Sequence, residues 1–179
     1  MLSDEWLVAR CLEGDLTAFD RLMERYRDRV FSLAFRMLGD AAWAEDLTQE
    51  AFLRAYTRLG LYDPAQPFAT WLLCITARLC LNALRDHRVE QERMERAAKA
   101  MPYVPTIEEQ IYERERQRTL QRLLLRLPAE QRAALLLHYT EGLPLKEVAA
   151  QLGAPIGTVK TWLHRGREQL RRWIEEELG

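Results

Sequence analysis

Apolar residues in this chain recur at three- and four-residue spacing in nearly every periodic segment, and no alternating run bounded by turn residues interrupts them. A period near 3.6 lays the apolar side chains along one stripe of a helix, whereas a strand needs a period of two, so the spacing predicts an all-α fold. Glycine and proline divide the pattern into separate helices. The first is expected from Ser3 to Glu13, with Ser3 as N-cap, Asp4 and Glu5 in the first turn and Gly14 beyond its end. Thr17 and Asp20 fit a capping box for the second, which buries Phe19, Leu22, Tyr26, Val30, Leu33 and Met37 and stops at Gly39. Asp40 caps a third that runs to Leu59.

The stretch GLYDPAQPFA, residues 60 to 69, holds two prolines and a glycine and reads as a loop. A fourth helix follows from about Thr70 to His87, with Phe68, Leu72, Ile75, Leu79 and Ala83 on its inner face. These four helices predict one bundle-like domain over residues 1–88. Between 89 and 105 large apolar residues become sparse, and Pro102 and Pro105 forbid continuous helix, so a flexible linker is expected. Thr106, with Glu109 as capping partner, opens a helix to Leu127. Pro128 opens PAEQRAALLLHYTEG, which ends at Gly142, and Pro144 opens LKEVAAQL, which Gly153 closes. Two small helical domains, 1–88 and 106–179, are therefore expected on either side of a tether.

The second domain carries a bihelical pattern. With Leu145 as first position, Ala149 is fifth, Gly153 ninth and Val159 fifteenth. A helix-turn-helix needs a small residue where its helices cross, glycine where the turn takes positive φ, and an aliphatic anchor on the second helix. On that second helix Val159, Leu163, Gly166 and Leu170 form an inward stripe. Lys160, His164, Arg167 and Arg171 form another, flanked by Thr161 and Arg165. This arrangement predicts a recognition helix in the major groove, with base edges met by its first turns and phosphates by the basic turns behind. The alternative is a solvated basic face paired with the acidic close, Glu175 to Glu177. Trp162 is expected at the edge of the core.

Two further faces stand out in the first domain. Trp71, Arg78 and Arg85 are seven apart and stay on one side of the fourth helix, with Asn82 beside them and Phe68 just before. Aromatic rings followed by guanidinium and amide groups suit a single strand, although a core-capping tryptophan above solvated arginines has the same pattern. On the third helix Asp46, Gln49, Glu50 and Leu53 form a mixed acidic and apolar strip suited to a protein partner. Glu50 and Arg54 are also spaced for a surface ion pair.

Catalysis has no visible home. The three histidines are scattered among basic or aliphatic neighbours, and the three cysteines contain no CxxC pair. Neither a metal ion nor a cofactor is expected, Cys74 and Cys80 read as core residues, and no disulfide framework is suggested. The opening MLSDEWLVAR is acidic rather than leader-like, and no uninterrupted apolar run approaches a bilayer span of about 20 residues, so an intracellular, cytoplasmic protein is expected.

In this order and with this gap, AEDLTQEAFLRAY (44–56), FATWLLCITARLCLNALR (68–85) and LPAEQRAALLLHYTEGLPLKEVAAQLGAPIGTVKTWLHRGREQLR (127–171) resemble the extracytoplasmic-function (ECF, group IV) sigma factors of bacterial RNA polymerase, in the sigma-70 family. The resemblance covers all but the first few residues, the tether and the tail. It implies a region 2 domain and a region 4 domain that act on promoter DNA with core polymerase and form no covalent intermediate. Asp46, Gln49, Glu50 and Leu53 are then the contact with the β′ clamp helices. Phe68, Trp71, Arg78, Asn82 and Arg85 face the opened -10 strand. Thr158, Lys160, Thr161, His164, Arg165 and Arg167 read the -35 duplex, while region 4 docks on the β flap. The tether would pass near the polymerase active site, and an anti-sigma protein is an expected inhibitor. Arg78 stands where many members carry asparagine, and Trp162 where arginine is frequent. Two rival classes share the helix-turn-helix: a two-domain repressor or activator working without polymerase, and a helical adaptor that binds protein alone.

Overall fold

The computed structural model describes residues 2–95 and 113–178. Helices α1 (Asp4–Leu12), α2 (Leu16–Leu38), α3 (Ala41–Thr57) and α4 (Phe68–Glu95) form an N-terminal unit; α5 (Glu113–Arg126), α6 (Ala129–Leu135), α7 (Leu145–Leu152) and α8 (Ile156–Leu178) form a C-terminal one. No strand occurs among the described residues. The expected linker from residue 96 onward, and the helix start at Thr106 with Glu109, lie outside the described residues. Helix α4 itself continues to Glu95, past the expected end near His87.

Caps explain where the N-terminal helices begin. Ser3 Oγ accepts from the Trp6 amide at 3.2 Å, as expected, and Asp40 accepts from the Trp43 amide at 2.7 Å. The cap of α2 is Asp15 rather than Thr17: its carboxylate accepts from both the amide and the hydroxyl of Thr17, at 3.1 and 2.7 Å. An ionised acceptor one residue ahead of the helix outcompetes the hydroxyl inside it, and those bonds hold the Asp15 carboxyl below its ordinary pKa, the Thr17 side chain most of all. At the other end α3 stops at Thr57, and the chain makes a 3-10 turn over Leu59–Leu61 before the loop.

Leu7, Leu22, Val30, Leu33, Met37 and Leu72 are sealed from solvent between α1, α2, α3 and α4. Asp4 fastens α1 by accepting from the Arg25 guanidinium and the Tyr26 hydroxyl on α2. Helix α4 is buried on more than its expected inner face. Leu73, Cys74, Thr76, Ala77 and Cys80 join Leu72 and Leu79 below a tenth exposed, while Ile75 and Ala83 are only half-buried. The reason is that α4 also packs against α6 and α7 of the C-terminal unit. That double covering also accounts for its apolarity. By length and a mean hydropathy of 1.2, Phe68–Arg88 would suffice to cross a membrane, but its apolar side chains serve two packed interfaces.

In the C-terminal unit α6 ends at Leu135 and continues as a π-helical turn over Leu136–Thr140, not as the single helix to Gly142 that the pattern predicts. Within it the Glu141 amide donates five residues back to the Leu136 carbonyl at 3.0 Å. Gly153 ends α7 at φ +63°, a left-handed conformation that glycine adopts without strain, and so sets the turn into α8. Val159 and Leu163 are buried and Leu170 is half-buried. At Gly166 a Cβ would stand 2.8 Å from Leu135 Cδ1, so α6 and α8 cross where no side chain intervenes. The last turns of α8 are braced by α5: the Arg126 guanidinium lies 4.3 Å from the Trp173 ring centre, and Glu177 accepts from Arg122 and Arg126 at 3.1 and 3.3 Å.

The two units are closed on each other. Leu125 of α5 packs over Gly39, the left-handed C-cap of α2 at φ +77°. Arg29 pairs with Glu141 at 2.8 Å, and the Glu141 side chain is only 7% exposed.

Candidate nucleic-acid interface

The turn at Gly153 and the anchors Val159 and Leu163 fix which side of α8 faces out. Lys160, Thr161, His164, Arg165, Arg167 and Arg171 are all exposed. Thr161 Oγ1 donates to the Gly157 carbonyl at 3.0 Å, a bond within the helix. His164 lies 3.6 Å from Glu168 within the stripe, and Arg171 lies 3.7 Å from Glu175, so one glutamate of the acidic close does pair with the basic stripe. Arg167 donates to the Tyr139 hydroxyl at 3.0 Å, and that bond raises the guanidinium pKa further. Tyr139, half exposed at the end of the π-helical turn, belongs to this face, yet it has no charge or spacing to betray it in the sequence. Thr158 sits half-buried at the edge of the set, and Trp162 is half-buried against the edge of the core, where it was expected.

On α4 the expected group of five divides. Asn82 and Arg85 are exposed, and Trp71 is half-buried against Tyr62 and Phe68, at ring distances of 5.3 and 5.8 Å. Phe68 does not face solvent: it is 1% exposed, wedged between Tyr26, Tyr62 and Trp71. Its position at the first residue of α4 points it into the core, so here it shapes the seat of Trp71 instead of offering a ring to a base. Arg78 is exposed but engaged, donating from Nε to the Gln151 carbonyl at 2.6 Å and from Nη2 to the Ala150 carbonyl at 3.4 Å. Asn82, Arg85 and Trp71 thus stay available while Phe68 and Arg78 do not.

The strip on α3 is present on one face. Asp46, Gln49 and Leu53 are exposed, Leu53 at 59%, and Tyr56 extends it at 41%. Glu50 is half-buried and bonded to Arg54 Nε at 2.7 Å, the ion pair its spacing allows.

Residues 22–90 match the Sigma-70 region 2 family, and residues 117–170 match Sigma-70, region 4. The chain is similar to the ECF RNA polymerase sigma factor SigW of Bacillus subtilis, 35% identical over 92% of this chain and 92% of that one. It is also similar to the ECF RNA polymerase sigma-E factor of Escherichia coli, 30% identical over 97% of this chain and 95% of the other. Among solved structures, the sigma factor RpoE of Bartonella quintana, in complex with the anti-sigma factor NepR, matches with a TM-score of 0.70 at 20% identity, covering 88% of this chain and 96% of that one. CnrH, in complex with the cytosolic domain of CnrY, matches with a TM-score of 0.65 at 23% identity and 97% of both chains. These two share the fold.

Proposed function

The chain belongs to the sigma-70 family, as an ECF RNA polymerase sigma factor, and on that premise we propose how its parts divide the work of starting transcription. The C-terminal unit, residues 106–179, reads the -35 element as duplex, with Lys160, Thr161, His164 and Arg165 toward the groove and Arg167 and Thr158 at its margin. The N-terminal unit, residues 1–88, holds the opened -10 strand with Trp71, Asn82 and Arg85, joined by Arg78 once its bonds to α7 are released. Asp46, Gln49, Glu50 and Leu53 hold the β′ clamp helices of core polymerase, and region 4 also rests on the β flap. The protein works in the cytoplasm, is not an enzyme, and is subject to an anti-sigma partner.

The observation that carries this reading is the outward basic face of α8, set by the Gly153 turn, on a chain that matches both sigma regions in order. Binding energy drives the opening. Extruding a base costs a few kcal/mol, and one base stacked on an aromatic ring returns about 1 to 3 kcal/mol. The half-buried Trp71 ring, backed by Phe68 and Tyr62, offers such a surface without further ordering of its side chain.

Run-off transcription with σ-free core polymerase tests the reading. With this chain added, transcripts start at discrete promoters, and without it none do. Absence of initiation from every promoter-bearing template, together with tight binding to a palindrome by the chain alone, points instead to a dimeric operator-binding regulator.

A further inference from the structure

Besides the Arg29–Glu141 pair, two arginines cross the boundary between the units in opposite directions, and each ends on helix-end carbonyls. The last four carbonyls of a helix have no partner within it and carry the negative end of its dipole. Arg132 of α6 donates to the Met37 carbonyl in the last turn of α2 at 2.5 Å, and Gln121 of α5 donates to the Phe35 carbonyl of the same turn at 2.9 Å. In return Arg78 of α4 caps the last turn of α7 through the carbonyls of Ala150 and Gln151. Arg132 is only 6% exposed, and its Nε has no partner among the described residues. Arg132 Nη2 also donates to the Leu127 carbonyl just past α5 at 3.5 Å, so the buried cation joins carbonyls at two helix ends, one in each unit, which a methionine could not do.

We infer that Arg132 and Arg78 form a reciprocal clasp that holds the free chain closed, with Arg78 occupied by α7 and withheld from any DNA strand. Closure and strand capture then compete for one guanidinium. Because Arg78 grips the carbonyls just before the Gly153 turn, the clasp ties the strand-facing surface of α4 to the base of the duplex reader. Opening the units by any route frees both surfaces together. The DNA half of this inference rests on the strand-facing role proposed above for Arg78, while the clasp itself does not.

Cys74 serves as an internal gauge. It is 2% exposed, its charged neighbours are Arg78 and Glu147 of α7, and burial pushes its thiol up to about 12. The closed full-length chain therefore protects Cys74 from alkylation, and opening exposes it. A hydrogen bond to a buried charged group is worth roughly one to two decades in an equilibrium constant. The experiment labels the intact chain with iodoacetamide, locates the modified cysteine by mass spectrometry, and titrates the protein with a short single-stranded DNA of mixed sequence.

Arg132→Met, which keeps the apolar stem and removes the cap, is expected to speed Cys74 labelling about tenfold or more, to enlarge the scattering radius and to tighten strand binding by a similar factor. Adding Arg78→Ala to that variant is expected to remove the gain in strand binding and leave the labelling fast. Gln121→Ala repeats the test more gently should Arg132→Met lose helicity. Unchanged labelling and radius in folded Arg132→Met or Gln121→Ala overturns the clasp. Fast labelling without any loss of strand binding on adding Arg78→Ala keeps the clasp and overturns the competition, and with it the strand role of Arg78.

Discussion

Replacing Gly39 by alanine separates two costs that usually arrive together. Gly39 ends α2 at φ +77°, and a methyl there would meet Leu125 Cδ1 at 2.5 Å and Cδ2 at 3.0 Å. Gly153 ends α7 at φ +63°, where a methyl meets no atom within 4 Å. Both alanines incur left-handed strain of about 1 kcal/mol. Only Gly39→Ala adds an overlap, and because the clashing atoms end a half-buried leucine, that term sits near the low end of overpacking, about 1 kcal/mol. Gly39→Ala should therefore destabilise by about 2 kcal/mol and Gly153→Ala by about 1 kcal/mol, read from urea midpoints at unchanged slope. In a Leu125→Ala background the Gly39→Ala penalty should fall to the strain alone, about 1 kcal/mol. Equal losses for the two glycines, or no relief from Leu125→Ala, would refute the claim that Leu125 rests on Gly39 in solution.

Lys160→Ala and Arg165→Ala should each weaken duplex binding and flatten its salt dependence by about one unit of slope. Lys160→Ala should also relax sequence preference, measured by filter binding against mutated sites. Asp46→Arg should abolish co-purification with core polymerase while leaving the isolated chain's duplex affinity unchanged; recovery at wild-type yield contradicts the α3 assignment. Phe68→Ala should cost about 3 to 5 kcal/mol of stability in a denaturant titration, because the ring is core; lost strand binding at unchanged stability would return Phe68 to the DNA face. Tyr26 has its phenol pKa pushed to about 12, by burial first and then by the bond to Asp4. The folded state thus retains the proton that the unfolded chain releases near 10. Its contribution is full below pH 10 and is lost as pH rises through about 12, so Tyr26→Phe should flatten the alkaline fall in the urea midpoint.

Residues whose roles are set by their own helix were legible in the sequence. The Gly153 turn, the Val159 and Leu163 anchors and the exposed Lys160 and Arg165 follow from 3.6-residue spacing and from glycine's freedom at positive φ. The Asp15 cap was two residues from the expected Thr17 because both residues are acceptors, and only the choice of amide distinguishes them. Phe68 carried two readings: spacing put it on the inner face of α4 with Leu72 and Leu79, while the resemblance turned it toward the strand, and Tyr62 from the preceding loop closes over it and keeps it in the core. The closure of the units was not legible. Arg132 and Arg78 each fit a polar stripe on their own helix, and nothing local says that a carbonyl from residues far along the chain will meet them. Buried Cys74 and Ala77 carried a trace of it, since apolar side chains off the expected inner face of α4 imply a second cover.

Charge is segregated along the length of α8. Lys160, Arg165, Arg167, Arg171 and Arg172 precede Glu175, Glu176 and Glu177, so acid gathers at the end where the peptide dipole already disfavours it. Arg122 and Arg126 on α5 offset part of that penalty through Glu177. Toward a polyanionic rod such a helix behaves like a compass needle: its leading turns are drawn in and its trailing turns pushed off. Within about a Debye length, roughly 8 Å at physiological salt, that torque selects head-first approach before any base edge is touched. Lengthening the trailing acid should sharpen the alignment, and capping it with lysines should let the helix settle backwards.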